Sequence, residues 1–210
     1  MTTIADPQTG PVAYDLAARE AQTIGEGPRY APLTPEETSD EARQMIADIK
    51  KAFGIPENNP IPEVSLITLR HPGMFRGQMA LGIELAGHGT IPGRERELAV
   101  LRVAILCGAP FEWAEHVDIG RKFGLTDEDI DRVLAGSSAQ GWSEHEGAVV
   151  RAVEELIADK CLSDATWNIL AKTWNEQQLI EMPMLVGSYM MTALQQNTLR
   201  IRPKGGFDYR

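Results

Sequence analysis

The stretch that most constrains the fold is residues 94–125, RERELAVLRVAILCGAPFEWAEHVDIGRKFGL. Its first half predicts a helix from Arg94 to Cys107, with Leu98, Val100, Leu101, Val103, Ala104 and Ile105 spread around nearly the whole circumference. A helix that is apolar on most sides must be buried on most sides. Gly108-Ala109-Pro110 then ends that helix and starts the next, with Pro110 at or near the first helical position, where its missing N–H costs nothing. The second helix runs from Phe111 to Phe123 and stops at Gly124, which suits the left-handed residue past a helix end. A link this short folds the two helices back against each other. Three ionisable residues interrupt this apolar hairpin: Glu97 on the first helix, and Glu112 and His116 on the second.

The rest of the chain reads as helices packed around it. Residues 1–33 are rich in Pro, Gly and Thr and are expected to form an N-terminal arm, with a short helix at Val12 to Ile24. Such an arm is either a mobile tail or a strap around a neighbouring subunit. Thr34, Pro35 and Glu37 predict a capped helix start, running to about Phe53 and stopped by Gly54. Further helices are predicted at Val64 to Arg70, Pro72 to His88, Thr126 to Gly136, Ser143 to Asp159, Ala165 to Trp174 and Asn175 to Arg200. Neither an alternating run nor a credible strand pair stands out. The prediction is an all-α protein of about eight or nine helices, with a main domain at 34–200 and an irregular tail at 201–210.

Composition removes several function classes. The chain has 210 residues, 43% apolar and 24% charged, as an ordinary globular domain does. A net charge of −10 opposes sequence-independent nucleic-acid binding. Cys107 and Cys161 are far apart and form no CxxC, so neither a disulfide framework nor a zinc site is expected. The first residues lack a basic region followed by an apolar core, and no apolar run approaches the roughly 18 residues of a membrane span. A cytoplasmic protein without membrane partners is the expectation.

The chemistry belongs to the hairpin. Glu112 and His116 are four apart and so share one helix face. Glu112 lies in the first turn, where a helix favours negative charge. Histidine exchanges protons near neutral pH, which suits general acid or base work. Glu97, across the short turn, is placed to meet both.

These residues resemble the signature of the carboxymuconolactone decarboxylase family, which includes the AhpD-type alkylhydroperoxidases. The AhpD-like pattern is a Glu, eleven residues, then Cys-x-x-Cys-x-x-x-His. On this chain the Glu falls on Glu97 and the His on His116, while the cysteine positions hold Ala109 and Glu112. The chain is therefore similar to the decarboxylase-like branch, which keeps the Glu and His without the thiols. The text HPGMFRGQMALGIELAGHGTIPGRERELAVLRVA resembles that branch too, and the similarity runs over about Thr34 to Leu134. The resemblance implies an AhpD-like helical bundle, a homo-oligomer (trimer or hexamer), and a lyase that needs no cofactor. Its substrate would be a small carboxylated or lactone-type metabolite. His116 would donate the proton, Glu97 and Glu112 would orient it, and Arg94, Arg96 or His88 would bind substrate; Arg102 is a further nearby cation.

Two other functions stay open. One is a peroxidase-like antioxidant using Cys107, and the other a non-catalytic oligomeric binding protein. A metal reading, with Glu97, Glu112 and His116 as ligands, has no second motif behind it, and no metal is expected. Trp113 is expected at an interface, the Met182–Met191 run in the core, and Glu144-His145-Glu146 as a solvated helix start.

Overall fold

The structure, a computed structural model, describes residues 13–52 and 54–202. Ten α-helices and one π-helical turn account for the regular structure, and the described residues contain no strand. They are α1 (Leu16–Ile24), α2 (Asp40–Ala52), α3 (Glu63–Thr68), α4 (Pro72–Ile83) with the π turn Glu84–His88, α5 (Gly93–Leu106), α6 (Pro110–Lys122), α7 (Asp127–Ala135), α8 (Glu144–Ala158), α9 (Asp164–Leu170) and α10 (Glu176–Leu199). No helix among the described residues is long and apolar enough to cross a membrane.

α5 is the axis of the molecule. Every residue from Glu97 to Leu106 is buried, as its all-round apolar pattern requires. α6, α7, α8 and α10 pack around it. One cation lies inside this wall of apolar side chains. Arg102 is 4% exposed. Its guanidinium donates to the Val133 carbonyl at the end of α7 and pairs with Glu154 of α8 at 2.7 Å. Burial draws its proton affinity down, and the Glu154 charge works against that. The turn between α5 and α6 needs Gly108: its φ is +55°, and a Cβ there would sit 2.8 Å from the Tyr14 ring.

Side-chain caps set most helix starts. Asp15, Ser143 and Ser163 each accept from the backbone three residues on, and Thr126/Asp129 and Asn175/Gln178 form reciprocal capping boxes. One start differs from expectation. Thr34 and Glu37 do bond reciprocally, but they close only an isolated turn; α2 begins at Asp40, behind Ser39. The capping chemistry is real, yet a second cap at Ser39, five residues later, takes the helix. The predicted end at Phe53 and the start at Val12 lie outside the described residues, as does the tail beyond Arg202. The described part of the 1–33 segment packs on its own chain. Leu16 enters the main core, and the Tyr14 N–H donates to the Ile105 carbonyl.

There are two cores. The large one gathers α5, α6, α8 and the inward side of α10, and it includes Trp113, fully buried rather than at a surface. A small one joins α2 to α4 through Ala42, Ile46, Leu69 and Phe75. The methionine run divides: Met182 is core, while Met184 and Met191 face outward with Ile180 and Leu194.

Candidate active site

The hairpin brings Glu97, Glu112 and His116 together. His116 Nδ1 lies 2.7 Å from Glu97 Oε2, and Nε2 lies 3.2 Å from Glu112 Oε2. The imidazole thus stands between two carboxylates, one from each helix. All three residues are buried: Glu97 is 1% exposed and His116 9%. Burial opposes a charge on the ring, but the hydrogen bonds and charges of Glu112 and Glu97 outweigh it and raise His116 to about 9. The ring therefore carries its proton at neutral pH, donating its Nδ1–H to Glu97 and holding Nε2 in ion-pair contact with Glu112. Arg96 braces the far side, donating to Glu97 Oε1 at 3.0 Å while its guanidinium lies over the Phe123 ring.

A pocket of about 270 Å³ opens onto this group. α6 supplies Phe111, Glu112, Glu115, His116 and Ile119; α3 and α4 supply the opposite wall, including Ser65, Thr68, Phe75 and Gln78. α10 closes it with Ser188, Tyr189, Thr192, Gln195 and Gln196. Gln78 of α4 donates to Thr192 of α10 across it, at 3.3 Å. The volume falls just under the roughly 300–1,000 Å³ of drug-sized sites, so it suits a small metabolite. Glu97 is absent from the lining: it holds the imidazole from behind. Glu112 and His116 face the cavity.

Two residues here have no local sequence signal. Tyr189 sets its ring edge-on to His116, with centroids 5.1 Å apart, and its burial beside two carboxylates pushes the phenol well up. Gln196 donates to Glu112 Oε1 at 2.6 Å. Both come from α10, more than 60 residues after the hairpin. Only a buried polar residue on an apolar helix hints at them. Glu115 also lines the pocket, and the partial desolvation of its carboxyl there, ahead of the neighbouring charges, raises its proton affinity.

The remaining expected residues lie elsewhere. Arg94 is held by Asp129 at 2.8 Å and Glu146 at 2.9 Å and does not line the pocket. Arg96 is spent on Glu97. His88 is exposed beside Glu84. No Lys or Arg lines this pocket among the described residues. Cys107 is absent from the lining as well, and burial pushes its thiol up to about 11. The two carboxylates flank the imidazole on opposite edges instead of converging with it on one point. No group of three His, Cys, Asp or Glu among the described residues is arranged to hold a metal ion.

Residues 72–155 match the Carboxymuconolactone decarboxylase family, a segment that contains α5, α6 and the whole Glu97–Glu112–His116 group. No curated protein sequence matches the chain. Among solved structures, it is similar to an AhpD-core, peroxidase-related protein from Ralstonia eutropha JMP134 at 19% identity and a TM-score of 0.65, over 84% of this chain and 92% of that one. It is also similar to the debrominase Bmp8, in a cysteine-to-alanine variant holding 2,3,4-tribromopyrrole, at 12% identity and a TM-score of 0.62, over 83% and 90%. An AhpD-like protein of unknown function from Agrobacterium tumefaciens aligns at 20% identity and a TM-score of 0.58, over 65% and 94%. At such identities the likeness is one of fold. Together, the match over residues 72–155 and the shared helical fold make this chain similar to the carboxymuconolactone decarboxylase family across its hairpin, on an AhpD-like fold.

Proposed function

We propose that the protein is an acid/base enzyme in which His116 supplies a proton to carbon, in the manner of a decarboxylase or related lyase. The observation that carries this is the imidazole held between Glu97 and Glu112 on the floor of a small pocket. Loss of carbon dioxide from an activated acid leaves a dienolate, and isomerising a lactone forms a similar anion once Glu112 has taken a proton from the carbon beside its carbonyl. Its carbon lone pair takes the Nε2 proton of His116, directly or through Glu112, and the ring is left neutral with Nδ1–H still donating to Glu97. The charged imidazole also offsets the developing negative charge before it moves the proton.

The lining narrows the substrate class. His116 is the only cationic side chain at the pocket wall among the described residues, and Glu112 and Glu115 stand beside it. A free carboxylate would meet like charge there. A neutral ring such as a lactone meets hydrogen-bonding groups and apolar walls, so the lactone-type metabolite is favoured. The outward row Ile180, Met184, Met191 and Leu194 on α10 supports a homo-oligomer. The thiol reading draws no support from Cys107, whose raised proton affinity opposes the thiolate that peroxide chemistry needs.

The test is solvent deuterium uptake at carbon, followed by mass spectrometry over a panel of small unsaturated lactones and activated acids. The wild-type protein is expected to exchange at least one of them and His116→Ala none. Equal exchange by both proteins would sink the assignment.

A further inference from the structure

The amide of Gln196 is 4% exposed and sits on α10, outside the 72–155 family segment. Its Nε2 donates to Glu112 Oε1 at 2.6 Å, while its own Oε1 is buried and has no partner. The Glu112 carboxylate, which only accepts, fixes the amide's orientation. Turned over, the amide would press one acceptor against another at the same short distance. The amide therefore forgoes an acceptor bond to give Glu112 a donor. Glu112 has two oxygens, and with Oε1 held by α10 its Oε2 is left aimed at His116 Nε2, 3.2 Å away.

We propose that Gln196 is a positioning residue: it latches Glu112 so that one chosen oxygen supports the His116 proton. Its catalytic meaning rests on His116 being the proton donor; the latch itself does not. The groups facing His116 are few. α5 presents Glu97, with Arg96 behind it; α6 presents Glu112, with Glu115 one turn away; α10 presents Tyr189 and Gln196. The pocket wall from α3 and α4 adds no titratable side chain. Of these, only Gln196 touches Glu112 from outside the hairpin. The latch also has a second setting. If Glu112 takes the proton in transit, the same amide turned by half a rotation accepts from it, and the orphaned Oε1 gains its bond.

The experiment is an NMR titration of the imidazole signals in the full chain without substrate, which has four histidines to resolve. Wild-type protein is compared with Gln196→Leu and Gln196→Met, two apolar replacements of similar length. With the latch gone, Glu112 turns away and His116 is expected to release its proton about one pH unit lower, a tenfold loss of proton affinity. A purely electrostatic role predicts the opposite, since an unlatched Glu112 keeps more of its charge for His116. A rise, or no change, in either folded variant overturns the proposal. Because no turnover is measured, this outcome is separate from the deuterium test of His116. In the enzyme assay the latch further predicts a loss in kcat with KM retained.

Discussion

Among the described residues, one histidine–glutamate group is buried and another is half-buried, and they are built differently. His116 has a carboxylate on each nitrogen, with one edge of the group open to a pocket. His145, at the start of α8, has only Glu95, with Nε2 3.2 Å from Oε2 and not aligned as a hydrogen bond. Glu95 spends its better bond on the Trp174 indole at 2.6 Å, and His145 lies edge-on to that indole. The second group ties α5, α8 and the segment after α9 together and does not line the pocket beside His116. The second carboxylate and the opening are what set the His116 group apart.

The contrast can be broken by experiment. The largest effect is expected from His116→Ala, which should cut carbon deuteration by about 10²–10⁴, the usual worth of a positioned acid. His145→Ala should leave it within about twofold, and equal losses would erase the distinction. Glu112→Gln comes next: the shape is kept and the charge lost, so His116 should titrate below its present value of about 9, with a smaller loss of rate than His116→Ala. A third effect is on stability against pH. The folded chain holds the His116 proton up to about 9, against about 6.5 for an unfolded histidine. That contribution is complete below pH 6.5 and fades as pH rises through 9. The melting temperature should fall across that window, less so in His116→Gln, and the slope should survive His145→Ala. Glu95→Ala should cost about 1–3 kcal/mol in a denaturant titration by stranding the Trp174 N–H, without touching turnover. Cys107→Ser should change nothing in the same assay.

The hairpin was legible because its signals are local. A helix apolar all round, a Gly-Ala-Pro break and a Glu–His spacing of one turn each follow from residues close in sequence. Even Glu97, 19 residues before His116, is within reach once the short link fixes two antiparallel helices. Gln196 and Tyr189 were not legible, because their role depends on how α10 lies across the hairpin, and no local pattern encodes that. The same holds for Arg94. Its position at the start of a buried helix suits a substrate cation equally well, and only the fold shows Asp129 and Glu146 occupying it. His145 read as a solvated helix start for the same reason, its neighbours Glu95 and Trp174 being distant in sequence.

The pocket lies between the two cores. The large core supplies the imidazole and its carboxylates, while part of the facing wall belongs to α3 and α4, which pack on the small core through Leu69 and Phe75. Val64, Ser65 and Thr68 on one side and Ser188, Thr192 and Gln195 on the other fall outside the 72–155 segment. Inheritance can therefore act on the two halves separately. Drift along α3 and α10 would re-tailor which molecule is admitted, while the hairpin that holds the imidazole passes on unchanged.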